Sequence, residues 1–145
     1  MRLNIPQPIS IGESMIVSGI NPRYKFFATQ LSLTQGATYR FSASGKWKDS
    51  CILVGPDGWR CPILEQFNRV PRHRMFLLCG CVGKSLERSF PIGSSLVWPV
   101  PLMISCDTDS HLYLFANDWE CSYANNREAS RHEGGPMQVT ITRIK

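Results

Sequence analysis

Apolar and polar residues alternate with a period of two along much of this chain. Tyr39, Phe41 and Ala43 alternate with Arg40, Ser42 and Ser44, which gives a strand one buried and one wet face. That strand ends near Gly45-Lys46-Trp47, and Gln35-Gly36 marks the turn before it. Met137, Val139 and Ile141 alternate with Gln138, Thr140 and Thr142 in the same way. Ser14 to Val17 and Gln30 to Leu33 read as short strands. Leu102 to Cys106 and His111 to Ala116 read as two more, separated by the polar turn Asp107-Thr108-Asp109-Ser110. Met75 to Val82 is instead an almost continuous apolar run ending at Gly83, the pattern of a strand covered on both faces. Gly55-Pro56-Asp57-Gly58 has the chemistry of a tight turn, so the flanking segments Cys51 to Val54 and Trp59 to Cys61 are expected to form a hairpin. No apolar residues recur at helical spacing over three turns. The pattern predicts about eight or nine short strands, very little helix, and an all-β fold: a single jelly-roll β-sandwich spanning residues 1–145.

Composition narrows the class. Hydrophobic residues make up 43% of the 145 and charged residues 19%, with a mean hydropathy of -0.15, which excludes an intrinsically disordered chain. No run approaches the roughly 18 apolar residues of a membrane helix, so no membrane insertion is expected. Met1-Arg2-Leu3-Asn4 lacks the apolar stretch of a signal peptide. The expected location is cytoplasmic, or outside the cell by a route without a classical signal peptide. In that setting the six cysteines, Cys51, Cys61, Cys79, Cys81, Cys106 and Cys121, are expected as free thiols. Oxidation of Cys51 with Cys61 would require the two to be opposed across the Gly55 to Gly58 hairpin.

Several familiar chemistries fail on their spacing. Gly83-Lys84-Ser85 follows an apolar strand, but Leu78 stands where a phosphate-binding loop needs its first glycine, and Pro91 follows too soon for the helix that would hold the anion. Cys79 and Cys81 lack the second Cys or His pair of a thiolate metal site. His73, His111 and His132 accompany no nucleophile motif, so no enzyme activity is expected. The net charge of +5 and the basic cluster Asn68 to Arg74 form no continuous groove. A solvated loop is expected there, with no nucleic-acid partner.

Asn117-Asp118-Trp119-Glu120-Cys121-Ser122-Tyr123-Ala124-Asn125-Asn126 carries oxygen ligands at both ends after a strand. Calcium takes about six to eight oxygens from carboxylates, amides and carbonyls, and a returning loop can aim Asp118, Asn125 and Asn126 at one centre. A plain polar turn would use the same residue types.

Together with Leu33-Thr34-Gln35-Gly36, Gly45-Lys46-Trp47-Lys48-Asp49, Gly55-Pro56-Asp57-Gly58 and Cys81-Val82-Gly83, this segment resembles the calcium-dependent, galactose-specific bacterial lectins typified by the first soluble lectin of Pseudomonas. The resemblance runs from about residue 10 to residue 145, and its most specific part is Asn117-Asp118 followed by Tyr123-Ala124-Asn125-Asn126. It implies a galactose-binding-domain-like sandwich that holds one Ca²⁺, which in turn coordinates two sugar hydroxyls. By that resemblance Asp118, Asn125 and Asn126 are side-chain metal ligands, Ser122 supplies a carbonyl, and Asp49 falls near the second carbonyl position. Asp49, Asp118 and Asn125 would also contact the sugar. The chain departs from the family where Asp49 replaces an aromatic residue, where Trp119 follows the Asp in place of a small residue, and where Arg127 to Gly135 lengthen the loop. Trp119 is expected to stack on the sugar, or else to brace the loop. The implied function is non-catalytic binding of galactose or another diol-presenting glycan. The alternative is a calcium-free protein-binding or structural module, and assembly into a homo-oligomer is left open.

Overall fold

Strand β3 (Thr38–Ser44) shows how the alternation is used: Tyr39 and Phe41 are fully buried while Arg40 and Ser42 face solvent. The computed structural model describes residues 5–102 and 109–145. Among these, the other strands are β1 (Ser14–Val17), β2 (Phe27–Ser32), β4 (Trp47–Asp49), β5 (Ile52–Val54), β6 (Leu78–Val82), β7 (Ser89–Pro91), β8 (Ser95–Pro99), β9 (His111–Ala116), β10 (Asn126–Glu128) and β11 (Gln138–Arg143). One short helix, α1 (Pro62–Glu65), has Pro62 in its first turn, where no N–H is needed. The strand expected over Leu102 to Cys106 lies outside the described residues.

Two four-stranded sheets, β1-β11-β3-β8 and β2-β9-β6-β7, form the sandwich. Their strand pairs are all antiparallel. The chain passes from β1 in the first sheet to β2 in the second and back to β3, later crosses again to β6 and β7, and then alternates through β8, β9 and β11. This is the connectivity of a jelly roll. Tyr39, Phe41 and Ile141 of one sheet meet Leu78, Leu112 and Leu114 of the other in a single core. The second sheet is covered outside as well, because Cys79, Cys81, Tyr113 and Phe115 lie under Phe26, Val70 and Leu77. All five residues of β6 are therefore buried, as its continuous apolar run predicts.

A third sheet, β10-β4-β5, is inserted between these strands in the chain. Gly45 turns the chain from β3 into it at φ 95, and a Cβ there would fall 2.2 Å from the Pro136 carbonyl oxygen. Trp47 then re-enters the core, edge-on to Phe76, and its indole N–H donates to the Phe76 carbonyl at 3.2 Å.

The expected hairpin around Gly55 to Gly58 does not form. The turn itself is present, with the Gly58 N–H donating to the Gly55 carbonyl at 3.1 Å. However, β5 pairs with β4 through Ser50 and Cys51, and Trp59 pairs with Met75. Gly58, at φ 68, passes so close to Met75 that a Cβ would sit 2.2 Å from its carbonyl oxygen, and this draws the chain away from β5. Cys51 and Cys61 are consequently free thiols, as are Cys79, Cys81 and Cys121. Strands β7 and β8 escape the sequence pattern because each contains a proline. Both lie at sheet edges, where a missing N–H leaves no bond unmade.

Candidate functional site

The segment after β9 is anchored by Asn117, which is fully buried. Its side-chain oxygen accepts the Val70 N–H at 2.9 Å, and its amide nitrogen donates to the carbonyls of Val70 at 3.0 Å and Arg74 at 3.2 Å. The loop over 69–74 is thereby tied to the end of β9. Asp118 follows, 2% exposed. Its carbonyl accepts the Arg69 N–H at 3.0 Å and its Oδ1 accepts the Trp119 N–H at 2.7 Å. Its Oδ2 is buried without a donor.

Asn126 begins β10 and is fully buried. Its Nδ2 donates to the Pro22 carbonyl at 3.0 Å. A carbonyl only accepts, so this bond fixes which end of the amide is which. The Oδ1 is left buried and without a donor. Asn126 stands opposite half-buried Asp49 in the β10–β4 ladder. Burial pushes the Asp118 carboxyl up to about 6; the Trp119 N–H opposes the rise, the Asp49 carboxylate adds to it, and the Asn126 side chain opposes it. Burial raises Asp49 too. These mutual effects place Asp49, Asp118 and Asn126 together, an oxygen-rich set short of positive charge. Among the described residues, no three His, Cys, Asp or Glu side chains converge. A cation here would depend on amide and carbonyl oxygens as well as carboxylates.

The remaining expected residues are arranged less uniformly. Ser122 is half-buried, and its N–H donates to the Trp119 carbonyl at 3.0 Å. Asn125 closes a 3₁₀ turn over Tyr123–Asn125 and is exposed. Trp119 is half-buried, its indole N–H donates to the Leu64 carbonyl at 2.9 Å, and its ring meets Phe67 edge-on at 5.6 Å. With Lys25, Phe67, Glu120 and Cys121 it lines a shallow, mostly apolar cavity of about 600 Å³. Phe67 is 64% exposed there. The longer loop folds back on β4: Arg127 pairs with Lys48, and Glu133 forms an ion pair with Lys48 at 2.8 Å.

Arg69 departs most from expectation. It belongs to the basic cluster expected to be a solvated loop, yet its side chain is 1% exposed. Its guanidinium lies 4.4 Å from the Phe115 ring centroid and 4.6 Å from that of Phe26. It donates to the Lys25 carbonyl at 2.7 Å and to the Tyr123 hydroxyl at 3.1 Å, and pairs with Glu120 at 2.9 Å. Tyr123 in turn donates to the Ala116 carbonyl at 2.6 Å. Arg69 thus braces the segment between Asp118 and Asn126 at the Asp118 carbonyl, Glu120 and Tyr123. Nothing in the local sequence distinguishes it from Arg72 or Arg74. The aromatic residues that enclose it come from distant parts of the chain.

The sandwich has the fold of a solved lectin domain. The chain is similar to a structure described as the EclA N-terminal domain, a PllA-like lectin, with a TM-score of 0.59 and 21% sequence identity over 90% of this chain and 94% of that one. No family model matches the sequence, and no curated protein matches it. At that identity the likeness is one of fold.

Proposed function

We propose that this chain is a non-catalytic, calcium-dependent carbohydrate-binding protein whose site lies where β4, β10 and the segment after β9 meet. The observation that carries this reading is the pair of buried oxygens, Asp118 Oδ2 and Asn126 Oδ1, that have no hydrogen-bond partner. A buried polar atom without a partner costs about 1–3 kcal/mol, and a hard cation that seeks oxygen ligands removes that cost. Asp118 and Asn126 would hold the ion from the buried side. Asp49, opposite Asn126, and the Ser122 carbonyl would add oxygens, and exposed Asn125 would face the solvent side, where a sugar hydroxyl can reach it. When bound, calcium offers open coordination positions to two neighbouring hydroxyls of a sugar. Trp119 stands beside the apolar cavity and would present its ring to the pyranose. The likeness in fold to a domain described as a lectin supports carbohydrate as the ligand class, and galactose or another diol-presenting glycan suits the coordination.

A glycan array probed with calcium and again with chelator tests the reading. Binding to diol-presenting glycans that chelator abolishes is expected. Chelator-insensitive binding would point instead to the calcium-free interaction module, and no binding in either condition would contradict the carbohydrate assignment.

A further inference from the structure

A second cavity gathers three arginines that the calcium reading leaves unused. Arg60, Arg72, His73 and Arg74 line it together with Asp57 and Glu65, and its volume is about 470 Å³. Arg60 arrives just before α1, and the other basic residues come from the loop over 69–74.

That loop is held firmly. Asn117 bonds to its backbone at Val70 and Arg74, and buried Asn68 donates from its side-chain amide to the His73 carbonyl at 3.1 Å. The Arg72 N–H donates to the Glu65 carbonyl at 3.0 Å. Arg72 itself sits at φ 65, in the left-handed region that a side chain with a Cβ seldom adopts. Buried amides therefore fix the backbone that carries Arg72, His73 and Arg74 at one side of the cavity, with a strained residue among them.

The two acids of the cavity offset only part of this positive charge. Asp57 Oδ1 accepts the Ser94 N–H at 2.8 Å, and buried Glu65 accepts the Cys61 N–H at 3.2 Å. Arg60 approaches Glu65 only to 3.9 Å. Among the described residues, Arg72 and Arg74 form no ion pair. Three guanidiniums against two carboxylates leave a net positive charge in a recess, carried by the unpaired Arg72 and Arg74, and the planar guanidinium fork matches the oxygens of a carboxylate or sulfate. A merely structural charge network would pair Arg72 and Arg74, like Arg60, with acids of the same chain.

We propose that this cavity is an oxyanion subsite that takes the carboxylate or sulfate group of an acidic saccharide; the saccharide part of the proposal rests on the carbohydrate reading above. The test is calorimetric titration, in the presence of calcium, of the full chain and of R72Q/R74Q with a sulfated galacto-oligosaccharide, its desulfated counterpart and inorganic sulfate. Both substituted residues are exposed, and circular dichroism verifies that the variant folds. The sulfated sugar is expected to bind the parent roughly tenfold tighter than the desulfated one, an advantage that falls with added salt. R72Q/R74Q should lose that advantage and keep its affinity for the desulfated sugar. Equal binding of the two sugars by the parent, or an advantage that survives in the variant, would overturn the proposal. Inorganic sulfate binding to the parent alone, with no sugar bound, would keep the oxyanion site and overturn the carbohydrate reading. Failure of both sulfate and the sulfated sugar to bind would overturn the site.

Discussion

Asn126 faces Asp49 directly across the β10–β4 ladder. Two segments far apart in the chain are thus held in register by backbone hydrogen bonds, and Asp118 is brought to them by the end of β9. The candidate site is assembled on strand ends rather than on one flexible loop, so its oxygens stay close together whether or not an ion joins them.

That arrangement sets the behaviour of Asp118→Asn. Burial raises the Asp118 carboxyl to about 6 from the ordinary 3.8. Between those values the metal-free fold binds a proton that the unfolded chain has released, so folding stability falls as pH rises through this window and stays lower above it. Asparagine removes the buried charge and offers an amide donor to the orphaned Asn126 oxygen. In chelator at pH 7.5 the variant should melt above the parent, and at pH 4 the difference should shrink. Calcium should stabilise the parent and not the variant, and less so at pH 5 than at pH 7, since protons compete for the carboxylate. Thermal melts at both pH values check this, and a variant that melts below the parent at pH 7.5 would contradict it.

Trp119→Ala should leave the protein folded. The ring is half-buried, and its ties are one hydrogen bond to Leu64 and contact with Phe67. Sugar affinity should weaken by roughly 1–3 kcal/mol, the scale of one large apolar side chain. Trp119→Phe should recover part of it. Titration of both variants with the same sugar, beside their circular dichroism spectra, measures the effect; an unfolded Trp119→Ala would make this residue part of the core.

Arg69→Met should be costly in spite of its apolar replacement. The guanidinium fills an aromatic box, and its loss leaves the Lys25 carbonyl and the Tyr123 hydroxyl without their donor. A destabilisation of about 2–4 kcal/mol is expected from breaking such a buried network. Arg69→Lys should rescue little, because an ammonium lacks the planar fork. Urea unfolding curves measure both, and a midpoint equal to the parent's would refute the bracing role.

The thiols should react in two groups. Cys51 and Cys121 are exposed, whereas Cys79 and Cys81 are buried. Burial pushes the Cys81 thiol up to about 12 and raises Cys79 as well, which keeps both protonated at neutral pH. A thiol reagent should label the exposed pair quickly in the native protein and reach all six cysteines of the chain after denaturation. Four or fewer groups under denaturing conditions would reveal a disulfide.

What the sequence disclosed followed from regular patterns. Alternation located β3 and β11, and the unbroken apolar run located β6, because one-sided and two-sided burial leave different marks on sequence. Prolines concealed β7 and β8, since a proline excludes a central strand but not an edge. The Gly55 to Gly58 turn was legible, but its flanking strands pair elsewhere, and pairing depends on contacts that local sequence does not encode. In the site, spacing pointed to Asp118 and Asn126. It gave no sign that Asn117 would hold a distant loop or that Arg69 would be buried, because both roles depend on partners from other strands.

Calorimetric titration of the metal-stripped protein with calcium, in parallel with Asp118→Asn, asks whether the buried Asp118 and Asn126 oxygens hold an ion. One calcium ion per chain is expected for the parent, with no measurable heat of binding for the variant and sugar binding only after calcium is added. Absence of calcium binding by the parent, or unchanged binding by Asp118→Asn, would contradict the calcium site.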